Sequence, residues 1–137
     1  MKKKKFYFVS DNNSLVYLHP RIPNNFFTKN GYEDNITKRV CLSESVSGAL
    51  SALSQNLQNK VLTVYEVYLA SYYKPSITEV PDCKITQEVW SLNPVKLHKI
   101  YKIKITSAVD NPLIFYYGNK CAETYRWNYI KLTKTEL

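Results

Sequence analysis

Glycine is scarce in this chain, with three in 137 residues. That shortage excludes a Gly-rich phosphate loop and argues against strings of tight hairpins. Cysteine is limited to Cys41, Cys83 and Cys121, and histidine to His19 and His98. They form no Cys-x-x-Cys pair and no close His/Cys group. A structural zinc site takes four ligands, usually in close pairs, so this spacing excludes the common zinc motifs. Dispersed, odd-numbered cysteines fit a reducing compartment, and a cytoplasmic setting is expected. No apolar run approaches the length of a membrane span, and Phe6-Tyr7-Phe8-Val9 is too short for a signal-peptide core. No membrane partner is therefore expected. His-Glu-x-x-His and Gly-x-Ser-x-Gly are missing as well.

What is present is an ordinary globular composition, 45% hydrophobic and 22% charged. The length suits one domain spanning residues 1–137. Tyrosine is abundant at twelve residues, which suits half-buried strands and binding surfaces. The net charge is +8, and half of that excess sits in the run Lys2 to Lys5. The plain reading of residues 1–5 is a frayed, solvated basic terminus. The alternative is an arm for nucleic acid, but it carries no Arg and no interleaved aromatics.

Alternating apolar residues predict strands at residues 5–9, 15–18, 61–69, 86–92, 95–105 and 113–117. Residues 121–132 read as a last strand or strand–helix segment. The run 61–69 is apolar on both faces, which predicts a central strand covered on both sides. Residues 19–38 are rich in Pro and Asn and predict a long irregular loop. Val46, Ala49, Leu50, Leu53 and Leu57 recur at helical spacing, so a main helix is expected from Ser43 or Ser45 to a stop at Asn59. The expected architecture is a single α+β domain with a mixed or split β-sheet and one main helix.

Three segments combine residues suited to ligand chemistry. In Pro20-Arg21-Ile22-Pro23 the prolines restrain the backbone around Arg21. A restrained guanidinium can present its fork to phosphate or carboxylate; the competing role is pairing with Glu33 or Asp34. Around Arg39-Val40-Cys41-Leu42-Ser43 a charged run enters a helix start, where Ser43 serves either an anion or the helix cap. In Thr86-Gln87-Glu88-Val89-Trp90, Glu88 and Trp90 are two apart on a strand and share one face. A carboxylate beside an aromatic platform suits the ribose of a nucleotide. Lys96, Lys99, Lys102 and Lys104 offer a separate route, a nucleic-acid contact through phosphates.

These segments carry a resemblance. Pro20-Arg21-Ile22-Pro23-Asn24-Asn25, Glu33-Asp34, Arg39-Val40-Cys41 and Val80-Pro81-Asp82 through Thr86, Glu88 and Trp90 resemble a pattern found in small proteins of low-GC Gram-positive bacteria and their phages. The arrangement also looks like the ADP-ribosyltransferase-like fold, a split sheet around a nicotinamide–dinucleotide cleft. That resemblance implies NAD or an ADP-ribose derivative as ligand, contacts from the Tyr7-Phe8 strand and from Ser43, and Glu88 as the catalytic carboxylate if the chain is an enzyme. An active member would carry His after the first-strand aromatic, where this chain has Phe8. Phe cannot hydrogen-bond a ribose. The resemblance thus implies a phage or prophage binding protein more than a transferase, with Tyr7, Arg21, Arg39, Ser43 and Trp90 as ligand contacts. Its partner would be a nucleotide-derived small molecule or a host protein, as in inhibition of a host defence system. An active NAD-cleaving enzyme and a basic nucleic-acid-binding module are the alternatives.

Overall fold

The computed structural model describes residues 2–53, 56–109 and 111–132. In chain order the elements are β1 (Lys4–Ser10), β2 (Tyr17–Leu18), α1 (Phe26–Lys29), β3 (Val40–Ser43), α2 (Val46–Ser51), β4 (Val61–Leu69), α3 (Cys83–Thr86), β5 (Glu88–Ser91), β6 (Val95–Lys96), β7 (His98–Ala108), β8 (Leu113–Tyr117), β9 (Lys120–Thr124) and β10 (Trp127–Lys131). Six strands form one sheet in the order β10-β7-β4-β1-β3-β5. The sheet curls into a half barrel within a single small domain. Every pairing in it is antiparallel, so of the expected mixed or split sheet the mixed form does not hold. The reason lies in the helices. Parallel neighbours need long crossovers, usually helical, and the described helices have four to six residues.

The apolar character of β4 on both faces is explained by its central place. On one face Leu62 and Val64 join Val9, Ile103, Ile105 and the α2 residue Leu50. On the other, Tyr65 and Val67 join Phe6, Val40, Leu42 and Val89. The small sheet of β2 and β6 covers this second face, with Val95, Leu97 and Leu18 packed inward. Tyr65 keeps its polar tip satisfied there, donating to the Asn12 carbonyl at 2.6 Å and accepting from the Leu15 N–H. Burying each such side chain contributes roughly 1.5–3 kcal/mol relative to leaving it in water.

The main helix is shorter than its apolar spacing predicts. Ser45, not Ser43, is the N-cap, accepting from the Gly48 N–H at 3.0 Å, and the helix ends at Ser51. Residues 54 and 55 lie outside the described residues. Leu57 still reaches the core, from the turn preceding β4. Asn59 adopts φ +67° in that turn and ends no helix. Gly48 is required by close approach. A Cβ there would meet the Thr86 carbonyl oxygen at 2.4 Å and Ser43 Oγ at 2.5 Å. Gly48→Ala is expected to cost about 2 kcal/mol through overpacking and to lower Tm by roughly 6–10 °C in a calorimetric scan.

Other boundaries move for local reasons. The strand expected from residue 86 begins at Glu88, because 83–86 form α3 and Gln87 caps it at φ +52°. The strand expected at 95–105 is split into β6 and β7, and β7 continues three residues further, to Ala108. The last segment is two strands, β9 and β10, with no helix. The long 19–38 stretch contains α1, closed by a capping box between Asn25 and Thr28. Lys4 and Lys5, expected in a frayed terminus, are paired in β1 opposite Leu69 and Tyr68 and reach Glu44 and Glu66 at 3.4 and 3.6 Å. Met1 lies outside the described residues. No described helix is long and apolar enough to cross a membrane.

Candidate functional site

The sheet brings three of the sequence-derived residues into one row. Tyr7 of β1 is opposite Ser43 of β3, and Ser43 is opposite Glu88 of β5. Directly opposed residues of antiparallel strands share a face. One step along, Cys41 lies opposite Trp90 on that same face. Phe8 points the other way, against Tyr65 in the second core. The β1 residue in the row is therefore Tyr7, which has a hydroxyl, and not Phe8.

Glu88 is held by its strand neighbour. Its carboxylate accepts from the Trp90 indole N–H at 2.5 Å. Trp90 is 1% exposed. The Tyr73 ring lies 5.3 Å from it, and the two backbones exchange hydrogen bonds of 2.9 and 2.7 Å. The Arg39 guanidinium is 4.2 Å from the Trp90 ring centroid, a cation–π contact in a desolvated setting. Burial pushes the Glu88 carboxyl above its ordinary range. Trp90 and Arg39 oppose that shift, while Asp82 adds to it.

Arg39 is 2% exposed, and its charge is used internally. Its Nη1 donates to the Thr37 carbonyl at 2.8 Å and meets Asp34 Oδ1 at 3.4 Å. Burial alone would raise Asp34, but N–H bonds from Thr37 and Ile36, the Thr37 hydroxyl and Arg39 together hold its carboxyl below the ordinary range. The Nε of Arg39 has no hydrogen-bond partner among the described residues. Arg21 meets Arg39 only through the backbone, in a two-bond bridge of 3.0 Å each. The Arg21 side chain is exposed, and Asp34, a partner foreseen for it, pairs instead with Arg39. Ser43 is buried, and its Oγ donates to the Thr86 carbonyl at 2.7 Å, tying β3 to α3.

A second layer of carboxylates backs the row. Tyr117 donates to Glu33 at 3.2 Å, and Thr124 donates to Asp82 at 2.9 Å. The β8–β9 hairpin is thereby fastened over this end of the sheet, with the Tyr117 ring packed at a tilt on Phe27, centroids 4.2 Å apart. Burial and the neighbouring Asp82 and Glu88 charges raise Glu33 to about 7. Burial raises Asp82 as well, against the Thr124 bond. Burial pushes the Cys41 thiol up to about 12, so it is a packed thiol and not a thiolate nucleophile. Nothing local in the sequence links residues 33, 82, 117 and 124, and spacing gave no signal of their meeting. Cys41 was foreseeable, since alternation puts it on one face with Ser43.

Two cavities meet at Glu88. One, of about 150 Å³, lies between the row and α2, with Tyr7, Ser43, Ala49, Ala52 and Leu53 in its walls. The other is a more open groove of about 500 Å³ that includes Lys74, Pro75, Ser76, Lys84 and Gln87. No protein family, curated protein or solved structure matches this chain. The site is thus read from its own chemistry. A carboxylate fixed by an indole N–H can accept hydrogen bonds from adjacent hydroxyls or face a cationic ring. No group of three or more His, Cys, Asp and Glu side chains among the described residues is arranged to hold a metal ion.

Proposed function

We propose that this protein binds a nucleotide-derived small molecule, NAD or an ADP-ribose derivative, without turning it over, on a degenerate ADP-ribosyltransferase-like sheet. The observation that carries the reading is the Tyr7–Ser43–Glu88 row, with Glu88 oriented by Trp90 at the junction of two cavities. A first-strand residue, a serine before a helix and a strand glutamate are the three positions such a sheet would use. Two features favour binding over catalysis. The Ser43 hydroxyl already donates to the Thr86 carbonyl. The inner cavity, at about 150 Å³, suits one ring-sized group and is below the roughly 300–1,000 Å³ of ordinary ligand pockets. In the phage-related group that the chain resembles, such binding would sequester a nucleotide signal of host defence.

The test is calorimetric titration with NAD, ADP-ribose and cyclic ADP-ribose isomers, followed by chromatography of the mixtures. Saturable binding with no released nicotinamide is expected. Glu88→Gln keeps an acceptor for Trp90 but removes the charge, and is expected to weaken binding at least tenfold, about 1.4 kcal/mol. Nicotinamide release that disappears in Glu88→Gln would instead make the protein an enzyme. No binding of any of these compounds would end the nucleotide reading.

A further inference from the structure

The other side of the sheet carries a feature that the carboxylate row does not use. Strand β7 is interior, flanked by β4 and β10. On one face it buries Ile103 and Ile105. On the opposite face it carries Lys102 and Lys104, the first opposite Thr63 and the second opposite both Val61 and Ile130. Lys99 is opposite Tyr65, on the same side. The β2–β6 layer covers the Tyr65 and Val67 region of this face. Val61 and Ile130 beyond it remain 48% and 49% exposed.

Lysine in a strand often protects an exposed edge from pairing with another chain. That role does not apply here, since both edges of β7 are paired. Among the described residues, none of Lys99, Lys102 and Lys104 has an acidic partner; the ion pairs are made by Lys4, Lys5, Lys74 and Arg39. The acids cluster elsewhere. Glu88 lies in the row on the opposite face, with Glu33 and Asp82 electrostatically coupled to it, and Glu66 is opposite Tyr7 on that face. On that face Glu66 is paired with Lys5, whereas the three lysines of β7 face no carboxylate among the described residues. Five residues of strand place Lys99 and Lys104 roughly 17 Å apart.

We propose that this face of β7 binds the phosphate backbone of a nucleic acid through Lys99, Lys102 and Lys104. The residues beside Lys102 and Lys104 are Val61, Thr63, Thr106 and Ile130, and the Tyr65 ring opposite Lys99 is fully buried, so none of these neighbours offers a ring to a base. Recognition is therefore electrostatic and independent of sequence. This surface is separate from the Glu88 row, and each can fail without the other.

Fluorescence anisotropy with a single-stranded oligonucleotide of about 20 nucleotides, titrated from roughly 50 to 200 mM salt, tests it. Three phosphate contacts predict a slope of log K against log salt near −2, at about −0.7 per contact. Combining Lys102→Gln with Lys104→Gln is expected to reduce the slope by about 1.4 and to weaken low-salt binding at least tenfold. Neither side chain is buried, so the thermal melt of that variant should match the parent. Absence of binding at low salt would overturn the proposal, as would an unchanged slope and affinity in the double variant. Loss of binding on changing Lys2 and Lys3 to Gln, with the β7 pair intact, would also overturn it. So would lysine-dependent binding to anionic vesicles without binding to the oligonucleotide.

Discussion

Trp90→Ala is expected to destabilise the fold by about 4 kcal/mol and to lower Tm by roughly 15 °C. The side chain is 1% exposed and packs with Val80 and Cys83 in a small third core. Truncation would leave a cavity in that core. It would also remove the stacking surface of Tyr73 and the face against which the buried Arg39 charge rests. The Glu88 carboxylate would lose its indole donor while remaining largely enclosed. The lost cation–π contact of Arg39 and the unpaired Glu88 carboxylate each add to the transfer cost. Trp90→Phe separates these effects. It keeps a ring against Tyr73 and Arg39 but loses the N–H and the five-membered ring, so a smaller loss of about 2–3 kcal/mol is expected. Urea unfolding followed by circular dichroism would measure both variants. A Trp90→Ala variant within about 1 kcal/mol of the parent would mean that the Arg39–Trp90–Glu88 unit is not what holds the β3–β5 end of the sheet.

Glu33→Gln is expected to act in the opposite direction, stabilising the protein at high pH. The free carboxyl loses its proton near 4.5, whereas burial and the Asp82 and Glu88 charges hold the folded one at about 7. Between these values the folded chain retains a proton that the unfolded chain has released. Stability contributed by Glu33 is therefore full below 4.5, falls as pH rises, and is at its lowest above 7. Water reaches part of this side chain, so the expected fall is about 1–2 kcal/mol rather than the larger figure of a fully buried group. Glutamine keeps an acceptor for the Tyr117 hydroxyl and has no charge to lose. The variant should thus match the parent near pH 4 and exceed it by about 1–2 kcal/mol at pH 8. Asp34 works the other way. Its folded carboxyl is held low, so its contribution is present at neutral pH and is lost on acidification below the ordinary value of 3.8.

How much of this was legible in the sequence differs by element. The run 61–69 was read with the bounds of β4, because apolar residues on both faces over nine positions leave few alternatives. The Glu88–Trp90 pairing was legible for the same reason, since residues two apart on a strand share a face. The helix was overextended. Leu53 and Leu57 kept the helical spacing, but Leu57 reaches the core from a turn, and spacing alone cannot distinguish the two routes. The start of β5 was misplaced because Gln87 adopts a left-handed conformation that its side chain does not advertise. Its carboxamide bonds to Ser45, a partner forty-two residues away. Phe8 drew attention as the residue following the first aromatic. Register decided otherwise, and a shift of one residue moves the whole strand to the other face. The Glu33–Tyr117 and Asp82–Thr124 bonds depend on where the β8–β9 hairpin folds back, which no local pattern encodes.

The central claim is that a nucleotide-derived ligand occupies the cavity beside Glu88. The chain has two tryptophans, so its indole N–H region in a proton–nitrogen correlation spectrum is simple to assign by Trp→Phe substitution. The Trp90 N–H donates to Glu88, whereas Trp127 Nε1 has no partner among the described residues and lies beside a different cleft. Titration with ADP-ribose should shift the Trp90 resonance progressively to saturation and leave that of Trp127 in place. A Trp90 signal that does not move while ADP-ribose is added, or a shift confined to Trp127, would contradict it.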